Sequence, residues 1–206
     1  YKAWEILAFL CAQPGGSVSR ERVVTALWPD VVSRKTKSRL RVALTRLRGI
    51  LKKQVPALEG EFVRLGRDGV CRLNSEYIST DVRRFMALRR SSSTQPPADA
   101  IAALEEAREL YRGDLLTEPD YEWVLTRMDD GLTLRELYRD EYLRVTQRLA
   151  ELYREQGETA RAVACYRDIL KLEPILEDVV RSLYRCYHEL GDRGALVREH
   201  RRLRDA

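Results

Sequence analysis

The chain has 206 residues, 37 Lys and Arg against 32 Asp and Glu for a net charge of +5, and 44% hydrophobic residues. That length and apolar content suffice for one large or two small packed domains and exclude a disordered tail. No apolar run reaches the ~18–20 residues of a membrane span and the N-terminus has no secretory pattern, so no membrane partner and a cytoplasmic location are expected.

The charge is divided unevenly. Residues 1–75 carry 15 Lys and Arg against 6 Asp and Glu, a net of +9, whereas residues 76–206 carry 22 against 26, a net of −4. A polyanion-facing role is therefore expected of the first third alone. Four cysteines, Cys11, Cys71, Cys165 and Cys186, form no CxxC pair, so each is expected to be a reduced, inert, buried thiol.

In chain order, Tyr1 already lies in or beside a helix, and the sequence is expected to be part of a longer one. Ala3 to Gln13 reads as a helix with Trp4, Leu7, Ala8 and Cys11 toward a core, ended by Pro14-Gly15-Gly16. Val18 suits a very short strand. Ser19 is an N-cap for a second helix with Val23, Val24 and Leu27 inward, stopped at Trp28-Pro29. A third helix, starting at Ser33 or Thr36, runs to Lys53. Its Leu40, Leu44, Leu47 and Leu51 fall within about 60° at 100° per residue, a narrow apolar stripe.

The rest of that helix is basic. No acid lies between Asp30 and Glu59, while Arg34, Lys35, Lys37, Arg39, Arg41, Arg46, Arg48, Lys52 and Lys53 supply nine positive charges. Like charges at i, i+4 cost a helix a few tenths of a kcal/mol each, so this pattern favours a polyanion partner over a merely solvated face. Phe62–Leu65 and Val70–Leu73 then flank Gly66-Arg67-Asp68-Gly69 as a hairpin. The order is that of a helix-turn-helix with a wing, whose basic helix has the width of a major groove and whose Arg67 can reach a phosphate or the neighbouring minor groove.

The stretch GGSVSRERVVTALWPD, followed by LRVALTRLRGIL and a strand pair ending CRLN, resembles the winged helix of OmpR/PhoB-type regulators. It is similar in particular to the version found in SARP-type transcriptional activators, over roughly residues 3–74. The family's four-stranded N-terminal sheet is expected to be missing here. The family's last strand usually has an aromatic after the glycine, where this chain has Val70-Cys71.

On the helical wheel Ser38, Arg41, Val42 and Thr45 face away from the leucines. Arg41 suits guanine, Val42 and Thr45 a thymine methyl, and Thr45 or Ser38 a base edge. Arg34, Lys37, Arg39, Arg46, Arg48, Lys52 and Lys53 flank them as phosphate anchors, with Arg64 and Arg67 on the hairpin.

Beyond residue 75 a helix is expected from Asp81, capped by Thr80 or Asp81. A mobile polar loop, Ser91–Pro97, is expected next, then a helix over Ala98–Tyr111, a break at Gly113 and Pro119, and a helix over Trp123–Gln156 interrupted around Gly131. Gly157 and Gly191 are 34 residues apart. Leu149, Ala150, Tyr153, Gly157, Ala162, Tyr166 and Pro174 fit the tetratricopeptide pattern. Leu183, Tyr184, Tyr187, Gly191, Leu196 and His200 follow it more loosely, so stacked helix pairs with left-handed glycines are expected.

This part, with TDVRRFMAL and ALEEARELYRGDLL, resembles the bacterial transcriptional activator domain that follows the winged helix in SARP-type proteins. The resemblance implies a positive regulator that binds direct repeats near promoters, with a dimer possible there, and contacts RNA polymerase.

No enzyme, cofactor or metal is expected. His188 and His200 lack further ligands at zinc spacing, no phosphate loop or nucleophile elbow occurs, and Glu105-Glu106 and Asp129-Asp130 diverge on a helix. The expected fold is mainly α: a winged helix-turn-helix with a small β wing over 1–75, then an α-helical tetratricopeptide-like domain over 76–206. The expected function is sequence-specific binding of double-stranded DNA coupled to transcription activation. The alternative is a scaffold that has lost base reading and holds a protein or small effector in its repeat groove.

Overall fold

The computed structural model describes residues 2–29, 34–57, 60–117 and 121–204, with backbone alone at 34–37. The chain is mainly helical. It forms two compact units that interleave along the sequence: Tyr1–Met86 with Gly113–Glu136, and Ala87–Arg112 with Leu137–Ala206.

In the first unit α1 (Lys2–Cys11), α2 (Arg20–Leu27) and α3 (Arg34–Gln54) pack on one another. Three short strands, β1 (Ser17–Ser19), β2 (Val63–Leu65) and β3 (Val70–Leu73), form an antiparallel sheet in the order β1-β3-β2. Val18 pairs with Cys71, and Val63 with Leu73. These four face the core, while Arg64 and Arg72 pair on the outer face. Ser19 caps α2 as expected, its hydroxyl accepting from the Arg22 amide at 3.2 Å.

The buried face of α1 differs from expectation. Ala3, Ile6, Phe9 and Leu10 are buried, whereas Trp4 is 47% exposed and Leu7, Ala8 and Cys11 are half-buried. The sequence from Ile6 to Ala12 is apolar throughout, so no polar stripe marks which side turns outward. Phe9 meets Trp123 edge-on at 5.0 Å, and Trp123 lies in a single 3-10 turn, Glu122–Leu125. That contact ties the 113–136 segment to the first unit.

The hairpin turn is held by Asp68, whose carboxylate accepts from the Val70 amide at 3.1 Å and pairs with Arg72 at 2.5 Å. The Arg72 hydrogen bond, then the backbone one, hold the Asp68 carboxyl down at about 2. Its usual value unfolded is about 3.9, so the turn gains from these bonds above that pH and loses them as pH falls through 2. The Val70 amide resonance should therefore titrate with a midpoint near 2. A midpoint near 4 would show that the carboxylate is not held.

Helix α4 (Asp81–Ser92) starts behind Thr80, whose hydroxyl accepts from the Arg83 amide. It runs into the stretch expected to be a mobile loop. Ser91, Ser92, Ser93 and Thr94 each donate a hydroxyl to the carbonyl three residues back, which satisfies the end of the helix.

Helices α5 (Pro97–Leu110), α7 (Thr159–Leu172), α8 (Glu177–Glu189) and α9 (Arg193–Arg204) belong to the second unit, with most of α6 (Leu134–Glu155). A reciprocal capping box opens α6: the Thr133 amide donates to Glu136 at 2.7 Å and the Glu136 amide to the Thr133 hydroxyl at 3.2 Å. The expected helix from Trp123 is thus replaced by the 3-10 turn and a loop through Gly131.

Both glycines of the 34-residue spacing close their helices alike. Gly157 has φ +78° and Gly191 φ +69°. The Glu158 amide donates to the Tyr153 carbonyl at 2.8 Å and the Asp192 amide to the Tyr187 carbonyl at 3.0 Å, the same Schellman closure. Leu149, Ala150, Tyr153, Ala162, Tyr166, Leu183 and Tyr187 are buried, Tyr184 and Leu196 half-buried, and Pro174 and His200 exposed. All four cysteines are free; Cys71, Cys165 and Cys186 are buried, and burial pushes the Cys165 thiol up to about 11.

Candidate nucleic-acid interface

Helix α3 is two-faced. Leu40, Ala43, Leu44 and Leu47 are buried against the first unit, and Leu51 is half-buried. The exposed residues Ser38, Arg39, Arg41, Val42, Thr45, Arg46, Gly49, Lys52 and Lys53 fill the opposite arc of about 160°. Its 21 residues make a rod about 31 Å long.

The charges on that arc have no counter-charge among the described residues. Arg39, Arg41, Arg46, Lys52 and Lys53 have no ion-pair partner among the described residues. In α6 and α7, by contrast, Arg144 pairs with Glu141 and Lys171 with Asp168 within their own helices. Val42 is 50% exposed in the middle of the face, an apolar spot amid the charge. The Thr45 hydroxyl donates to the Arg41 carbonyl at 3.0 Å, which leaves its oxygen free to accept.

Arg48 stands apart from the other basic residues. It is half-buried, and its guanidinium donates twice to the Val63 carbonyl, at 3.1 and 3.0 Å, with Glu61 at 3.6 Å. It braces α3 against β2. Arg64 is exposed on β2 and Arg67 in the turn. The side chains of Arg34 and Lys37 lie outside the described residues.

Charge and motif reading missed the flank of this face. Lys2, Trp28, Ser38, Arg39, Val42, Ala43 and Arg46 line a mostly apolar depression of about 450 Å³. Lys2 donates to the Leu27 carbonyl at 2.9 Å and lies 5.8 Å over the Trp28 ring. Trp28, beside the Pro29 that stops α2, was the available signal.

The second unit has a groove of about 620 Å³ between α5, α6 and α7, lined by Glu105, Arg108, Tyr142, Tyr153, Arg161 and Asp168. Four of its charges pair mutually: Arg108 with Asp168, and Arg161 with Glu105. The Tyr153 hydroxyl donates to Glu105, and its ring lies 4.1 Å under Arg161. Burial, then that carboxylate, raise the Tyr153 hydroxyl above its usual range. Among the described residues no group of His, Cys, Asp and Glu can hold a metal.

A family model, the bacterial transcriptional activator domain, matches residues 80–206, more than half of the chain. The chain belongs to this family. No curated protein matches it. The activator-domain match opens on the Thr80 cap of α4 and includes the groove. It also includes the Trp123 segment packed on α1, whereas α3 precedes it. Membership gives the chain a general role in activating transcription. Among the described residues no helix is long and apolar enough to cross a membrane.

Proposed function

We propose that this activator binds double-stranded DNA sequence-specifically through a winged helix of the SARP type, in the cytoplasm and without catalysis or a cofactor. The observation that carries the reading is the α3 face: five exposed cations with no ion-pair partner among the described residues, opposite a stripe whose Leu40, Leu44 and Leu47 are buried. Such a rod fits a major groove, and unpaired cations fit phosphates.

Arg41 reads guanine, Ser38 and Thr45 a base edge, and Val42 a thymine methyl. Arg39, Arg46, Lys52 and Lys53 hold phosphates, with Arg34, Lys37, Arg64 and Arg67 flanking. Arg48 keeps α3 in register with the hairpin instead. The activator-domain match supports contact with RNA polymerase, and the reading includes a dimer on direct repeats. The repeated glycine closures support a tetratricopeptide-like second part, whose groove favours a protein or small effector as a further partner.

Selection from a pool of random duplexes at two salt concentrations tests this. The expected result is enrichment of a short repeated motif, with affinity falling steeply as salt rises. Salt-sensitive retention without enrichment overturns sequence reading, and no retention at low salt overturns DNA binding.

A further inference from the structure

Helix α9 carries five arginines, Arg193, Arg198, Arg201, Arg202 and Arg204, all exposed, and one acid, Glu199. Glu199 is turned inward, 5% exposed, on the stripe that also holds the half-buried Ala195, Leu196 and Leu203. It is held by Arg202 at 2.9 Å and Arg167 at 3.5 Å. Arg193, Arg198 and Arg201 have no ion-pair partner among the described residues. On the neighbouring α8, by contrast, Arg181 pairs with Glu177 and Asp178 of its own helix.

The helix dipole explains only part of this. Cations are favoured in the last turn, where Arg201, Arg202 and Arg204 lie. It works against Arg193, at the positive end, and does nothing for Arg198. Arg198 is also three residues from Arg201 and four from Arg202, spacings that repel. Folding alone therefore does not account for the set. The residues 76–206 are acidic in sum, yet here they present a cationic rod about 18 Å long. Planar guanidinium forks on such a rod match a row of phosphates.

We infer that α9 is a second DNA contact, gripping the phosphate backbone without reading sequence. The inference rests on the proposed DNA binding. It is tested on the full chain by measuring affinity for a 40-base-pair random duplex across a salt series. Three paired variants are compared: Arg198→Gln/Arg201→Gln, Arg198→Lys/Arg201→Lys, and Arg46→Ala/Lys52→Ala on α3.

The glutamine pair should keep the parent's melting midpoint and lower the slope of log K against log salt by about 1.8. The lysine pair should retain the slope. Arg193→Gln alone should lower it by about 0.9 and serves if the glutamine pair does not fold. An unchanged slope in the α9 variants, with a lowered slope in the α3 pair, overturns this inference and leaves α3 binding intact. The reverse result supports α9 and overturns the α3 reading. No binding by the parent at low salt overturns both.

Discussion

Leu47→Ala is expected to destabilise the first unit by about 3 kcal/mol, within the roughly 2–5 kcal/mol range of such core truncations. Leu47 is 0% exposed and lies centrally in the α3 stripe, between Leu44 and Leu51. Its removal loses the transfer free energy of the side chain and leaves a cavity that the buried Leu40, Ala43 and Leu44 fill only in part. For a unit of this size the melting midpoint should fall on the order of 10 °C. Leu51→Ala, at a half-buried position, should cost less. Calorimetry of both variants checks the order; equal losses would mean that α3 is not seated on this stripe. DNA affinity of folded Leu47→Ala should change little, because the exposed face is untouched.

Arg41→Ala should act the other way, leaving stability alone and weakening the selected site by about 1–3 kcal/mol, roughly five- to 150-fold. Arg41 is exposed and without a partner among the described residues, so the fold does not depend on it. A bidentate pair with guanine is lost and the preference at that base pair should relax. Lys52→Ala should weaken every sequence alike and lower the salt slope by about 1. Binding of both variants to the selected and to a scrambled duplex separates the roles. Equal losses on both duplexes for Arg41→Ala would sink its assignment to base reading.

Much of the first unit was legible because α3 is nearly binary. Leucines occupy one side and cations the other, so period 3.6 fixes which face is buried. The order of helix, strand, helix, helix and hairpin was legible from Pro14-Gly15-Gly16, Ser19, Trp28-Pro29 and the Gly66–Gly69 turn. The glycines at 157 and 191 were legible because a left-handed helix end needs them. The capping box at Thr133 has its own local signature, T-x-x-E, ahead of α6.

Other features have no local signature. The apolar run of α1 offers several faces, and only packing chose Ile6 and Leu10 over Trp4. Arg48 looks like any other cation of α3 until Val63, fifteen residues on, presents its carbonyl. Trp123 belongs by sequence to the activator-domain match, yet it packs on Phe9, over a hundred residues earlier. Arg193, Arg198 and Arg201 of α9, without an ion-pair partner among the described residues, likewise have no local signature, because Glu199 lies beside them in sequence and only the fold turns it inward. By itself the sequence determined most of the helices, the hairpin, the Ser19 and Thr80 caps and the two-faced α3, which depend on neighbours within a few residues. The tertiary structure alone decided what each face meets, because those contacts join residues whose spacing carries no period.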